Sequence, residues 1–157
     1  MTKTMKSILT GMTLAVSLGL APVLLSAPAF AVDNMSSTDA PDLTSVRAKI
    51  KAKDYAAALT ELRYLAEDIQ QADVYNLLGY TLRKTGDVKT SLTYYTKALE
   101  LQPDHKAARE YLGELYVETG NLEKAKEQLA ILAKLCPGGC EEREDLQKAI
   151  SAKSASN

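Results

Sequence analysis

The chain has 157 residues, 46% hydrophobic and 25% charged, with 19 basic against 20 acidic side chains and a formal net charge of −1. So even a balance excludes the basic excess that non-specific binding to nucleic acid or to an anionic membrane needs. Within the chain there is one His and no phosphate-cradling glycine loop, zinc signature or paired-carboxylate motif, so nothing points to conventional catalysis.

Residues 1–31 have the pattern of an export signal. Lys3 and Lys6 form a basic start, Ile8 to Leu25 is an apolar run, and Ala29-Phe30-Ala31 supplies small residues at a peptidase site. The alternative is an uncleaved anchor, although Gly11, Gly19 and Pro22 dilute and interrupt the run. Cleavage would leave 126 residues, enough for one small domain with a core. That part carries 17 basic against 20 acidic groups and would lie in the periplasm of a Gram-negative bacterium or be secreted. It has no Phe or Trp, so eight Tyr residues supply its aromatic packing.

Residues 32–41 are small, polar and end in Pro41, which predicts a flexible linker. From 42 to 152 the apolar spacing is helical, and no window alternates as a half-buried strand does. A leading helix from Asp42 to Ala52 carries Leu43, Val46 and Ile50, and a second begins at Asp54-Tyr55 and continues through Leu62 and Leu65. The next helix, Ala72 to Lys84, places Val74, Leu77, Leu78 and Leu82 on one stripe. Thr85-Gly86-Asp87 ends it, and Asp87 is placed to cap the following helix, in which Leu92, Tyr95, Ala98, Leu99 and Leu101 are the buried candidates. Pro103 stops that helix, and Asp104 is the expected cap of the next. Helices near Asp104–Glu118 and Asn121–Leu135 follow, then a charged closing helix over 141–152 with Leu146, Ala149 and Ile150 inward, and a tail over 153–157.

The two central units superimpose at a spacing of 34 residues: Leu78-Gly79 on Leu112-Gly113, Gly86 on Gly120, Ser91 on Ala125 and Pro103 on Pro137. A unit of this length and pattern resembles the tetratricopeptide repeat, a helix hairpin that stacks into a superhelix. The resemblance implies an all-α solenoid of three hairpins, over about 39–71, 72–105 and 106–139, with a capping helix. Gly79 and Gly113 would then lie where the two helices of a hairpin cross, opposite small Ser91 and Ala125.

Repeats of this kind bind an extended peptide or partner helix along the concave face built by each first helix. Carried over, the matching positions are Asp73, Asn76, Tyr80, Arg83 and Lys84, then Ala107, Glu110, Glu114, Val117 and Glu118. Arg47 and Lys51 are the first-unit equivalents, so the groove would run from basic to acidic. Glu110, Glu114 and Glu118 share one helix face, which reads either as a solvated surface or as the seat of a basic segment of a protein partner. Cys136-Pro137-Gly138-Gly139-Cys140 lies between the last repeat and the cap. It admits a disulfide, a thiol redox site or a soft-metal site. His105 reads as a surface linker residue. The resulting expectation is an exported binding scaffold with no catalytic residue, cofactor or resident metal, free of nucleic acid and, after cleavage, of membrane. A redox or metal-handling accessory acting through Cys136 and Cys140 is the alternative.

Overall fold

The computed structural model describes residues 40–155, so the export signal and nearly all of the linker lie outside the described residues. Within them there are seven helices and no strand: α1 (Thr44–Lys51), α2 (Tyr55–Asp68), α3 (Ala72–Lys84), α4 (Val88–Leu101), α5 (Lys106–Glu118), α6 (Leu122–Leu135) and α7 (Glu141–Ala155). Consecutive pairs α1/α2, α3/α4 and α5/α6 form hairpins, α2 meets α3, α4 meets α5, and α7 closes against both α5 and α6. The architecture is an all-α solenoid. α7 runs to Ala155, into the segment read as a tail.

Each hairpin is punctuated by the same chemistry. The side chains of Asp54, Asp87 and Asn121 accept hydrogen bonds from the backbone N–H three residues on, at 3.1, 3.1 and 3.3 Å, satisfying a donor that the helix leaves free. At α5 the cap is His105 rather than Asp104, because Pro103 and Asp104 form the corner of a turn closed by the His105 N–H on the Gln102 carbonyl. The Nδ1 of His105 accepts from the Ala108 N–H at 3.1 Å, and its ring is buried, not on the surface.

The turns inside the hairpins need a left-handed residue. Gly86 and Gly120 supply it at φ 88° and 80°, and the first hairpin holds Lys53 there at φ 60°. Nothing lies within 4 Å of a Cβ built on Gly86, so any cost of a side chain at that position is conformational alone. Gly86→Ala is expected to cost about 1 kcal/mol and Lys53→Gly to gain roughly 0.5–1 kcal/mol, read as urea-unfolding midpoints. No change in either variant would show that the turns tolerate either residue.

The two crossing glycines meet different partners. A Cβ on Gly79 would stand 2.7 Å from the Tyr95 ring, and the Ser91 hydroxyl donates to the Gly79 carbonyl at 2.7 Å, so this is the crossing of α3 with α4. At Gly113 the nearest atoms are those of Leu146 on α7, 2.5 Å from such a Cβ. This notch therefore receives the cap helix rather than the second helix of its own hairpin. Gly79→Ala is expected to cost about 1–3 kcal/mol in thermal unfolding. Gly113→Ala should cost a comparable amount, because Leu146 is as fully buried as the Tyr95 ring.

A further pair of substitutions is coupled across the repeat. In the second hairpin Tyr75 stacks on Tyr94, ring centroids 6.1 Å apart. Thirty-four residues later, the same two places hold Arg109 and Gln128, joined by a hydrogen bond of 2.8 Å, while Arg109 also donates twice to the Pro103 carbonyl. An aromatic contact has been exchanged for a polar one at the same joint. Leu101 lies at the end of α4 and is exposed, unlike the other candidates on that helix, and Tyr64 of α2 stands out at 69% exposure. Beyond α6, Cys136 and Cys140 are joined by a disulfide across the turn into α7.

Candidate concave binding face

The first helices of the three hairpins, α1, α3 and α5, line one cleft of about 220 Å³. Its walls are Arg47, Ile50 and Lys51 from α1, Leu77 and Tyr80 from α3, and Tyr111 from α5. Leu77 and Tyr111 occupy the same repeat position, one unit apart. Leu77 belongs to the core, as its place on the apolar stripe predicts, and also borders the cleft, whereas sequence reasoning passed over Tyr111, which only the repeat alignment could have paired with it. The cleft thus has an apolar, aromatic floor with a basic rim at the α1 end.

Tyr80 is half-buried, its ring 5.0 Å from that of Tyr111, and the Lys84 ammonium rests 5.2 Å over it. Arg83 is the centre of the arrangement. Its side chain is 1% exposed and reaches from α3 to α5, bonding Glu114 at 2.5 Å and Glu118 at 3.1 Å. It also lies 5.8 Å from the centroids of both Tyr80 and Tyr111, within cation–π range. Burial opposes its charge, but Tyr95, Glu114 and Glu118 together raise its pKa above the ordinary arginine value. Burial likewise pushes the Tyr111 hydroxyl up to about 12, with Glu110 adding to the effect.

The residues expected to await a partner therefore divide into two sets. Arg83, Glu114 and Glu118 are brought together and engage one another, because superhelical stacking sets the end of α3 against α5. They tie two repeats to each other before they can serve a ligand. Lys84 is exposed, and Asn76 is 3% exposed with its Oδ1 lacking a hydrogen-bond partner. Glu110 is 8% exposed, deeper than a solvated stripe would place it. Burial first, then the charges of Glu114, Asp145 and Glu142, push its carboxyl up to about 8, with Arg83 opposing. Asp145 and Glu142 belong to α7 and were not foreseen as part of this face.

Asp73 is held at 3.4 Å from His105 Nε2 and 3.8 Å from Arg47, so the basic start of the groove is partly balanced. Among the described residues no group of three or more His, Cys, Asp or Glu is placed to hold a metal ion.

Residues 82–137 match the family model described as Tetratricopeptide repeat. The fold is similar to that of the type III secretion translocator chaperone SycD of Yersinia enterocolitica, with TM-score 0.63 and 13% identity over 74% of this chain and 96% of that one. It is also similar to PcrH, solved in complex with the chaperone binding region of PopB, with TM-score 0.58 and 16% identity over 70% and 89% of the two chains. Among curated proteins, the uncharacterized protein ycf37 of Guillardia theta is 31% identical over 84 residues, 50% of this chain and 47% of that protein. The chain spans less than half the length of the curated relatives it matches.

Proposed function

We propose that this tetratricopeptide-like helical repeat protein works as a scaffold, holding an extended segment of a partner protein along its concave face, and not as an enzyme. The observation that carries the reading is the cleft shared by α1, α3 and α5, whose apolar floor of Ile50, Leu77, Tyr80 and Tyr111 is open to a side chain from outside. An aromatic-lined groove with a charged rim suits a peptide, since apolar anchors give affinity and rim charges give register. The PcrH complex is a case of this fold holding a region of another protein. In this reading the segment's basic residues lie toward the α5 end, and the protein acts after export, in the periplasm or outside the cell.

The test is selection of short random peptides displayed on phage against the full chain. Binders are expected to lose most of their affinity for Tyr80→Ala and Tyr111→Ala, both partly exposed on the cleft, and binders insensitive to both would remove the groove from the proposal. The alternative is a thiol redox or soft-metal site at Cys136 and Cys140, whose sulfurs are joined here as a disulfide, the oxidised form of such a pair. Replacing both cysteines by Ser should leave peptide binding in place.

A further inference from the structure

The cleft between α1, α3 and α5 has walls of unlike character. Its volume, about 220 Å³, falls below the range of about 300–1,000 Å³ that holds whole small molecules, so it is sized for one side chain of a longer ligand. Ile50, Leu77 and the tilted rings of Tyr80 and Tyr111, 5.0 Å apart, offer that side chain apolar contact. The α1 wall offers charge. Arg47 and Lys51 both line the cleft and stand one helical turn apart on α1. Two like charges then share one face of a short helix, which is mildly unfavourable by itself. The third cation of that helix shows the contrast: Lys49, turned toward α2, is satisfied by Glu61 and Ser45. Arg47 reaches only Asp73, at 3.8 Å, with both side chains substantially exposed. Lys51 has no ion pair among the described residues, and Lys84 rests over the Tyr80 ring with no carboxylate of its own. The carboxylates across the groove belong to α5, where Glu114 and Glu118 are held by Arg83. The cleft is therefore an apolar socket whose α1 wall lacks a negative charge.

We propose, on the premise that the groove takes a partner segment, that this segment carries an apolar or aromatic anchor with an aspartate or glutamate close beside it. The anchor enters the cleft, and the side-chain carboxylate lies against Arg47 and Lys51. A carboxylate there meets the guanidinium fork, which suits it geometrically, and also relieves the repulsion between the two cations. Because this wall is exposed, the pairing fixes register and speeds encounter more than it deepens affinity. The anchor supplies most of the affinity, and the acid selects which anchored segment is accepted.

Peptides selected on the full chain, synthesised with amidated C termini so that only side-chain carboxylates are present, provide the measurement. Those that lose affinity for Tyr80→Ala or Tyr111→Ala are the cleft binders. They are expected to carry Asp or Glu within about two residues of the anchor, since an extended chain advances roughly 3.3 Å per residue. Changing that acid to its amide should weaken binding about fivefold, and Lys51→Glu in the protein about tenfold. Lys51→Glu should in turn bind the peptide with Lys in place of the acid better than the original. Raising salt from about 50 to 500 mM should weaken the acidic peptide severalfold and leave the amide peptide nearly unchanged. Cleft binders with no acidic preference, or a Lys51→Glu protein that ranks the acidic and lysine peptides as the native chain does, would overturn the acidic partner and leave the groove standing. Absence of cleft binders altogether would overturn both. Lys51 is exposed at the end of α1, so its reversal leaves the core untouched. Arg47→Gln, which reverses no charge, should lower affinity for the acidic peptide alone and repeats the test in a second variant.

Discussion

Replacing Arg83 by Ala lowers the unfolding free energy by about 2–4 kcal/mol, the range for truncating a long side chain that is only 1% exposed. The magnitude has three sources. Glu114 and Glu118 lose the cation that joins α3 to α5, and Tyr80 and Tyr111 lose the flat guanidinium lying within reach of both rings. A void also opens where a side chain only 1% exposed had been. Arg83→Met separates the sources. It restores most of the volume but not the charge, and both glutamates are accessible enough to turn to water, so about half of the loss should return. If Met proved as costly as Ala in urea titrations, charge alone would hold these repeats together. If Ala cost nothing, the link between the repeats would have no energetic role.

The second large effect is a stability that declines as the solution becomes more basic. Glu110 has its carboxyl pushed from an ordinary 4.5 up to about 8, so between those values the folded chain binds a proton that the unfolded chain has released. By linkage, stability is then present in full below pH 4.5 and falls as pH rises through that interval. Each unit of displacement is worth about 1.4 kcal/mol. With allowance for the part of the carboxyl that meets water, the loss between pH 5 and pH 8 is on the order of 2 kcal/mol, or roughly 5–10 °C in melting temperature. Glu110→Gln should flatten the profile and melt higher at pH 8. An unchanged profile in that variant would mean that another group governs the window.

Much of the architecture is legible in the residues because a repeat states its period twice. Gly79, the Thr-Gly-Asp and Thr-Gly-Asn turns, and the caps Asp87 and Asn121 all act within one hairpin, so local spacing exposes them, whereas Gly113 repeats the pattern but seats Leu146 of α7. His105 escaped that reading because both Asp104 and His105 can cap, and the choice depends on where the Gln102 turn closes. The groove was harder for a related reason. Arg83 pairs with residues 31 and 35 positions away, on either side of the repeat period, and only the superhelical offset between hairpins decides which neighbours it meets. Glu110 looks like the first member of an exposed acidic row; its burial depends on the angle at which α7 lies over α5, which no local pattern encodes.

The seating of Leu146 in the Gly113 notch has a consequence for assembly as well as for folding. A stack of identical hairpins has no intrinsic length, since every finished unit offers its successor an apolar ledge to add to. An uncovered ledge on one molecule could accept the leading hairpin of another, and such head-to-tail contacts propagate into fibres. α7 fits the ledge with Leu146 and Ile150 buried beneath it, while Glu141, Glu144, Gln147 and Lys148 face outward. It accepts the last unit and offers nothing to a next one. The helix thus leaves no bare ledge on the α5/α6 hairpin to which a second molecule could add, and the disulfide at its root joins it to the end of that hairpin.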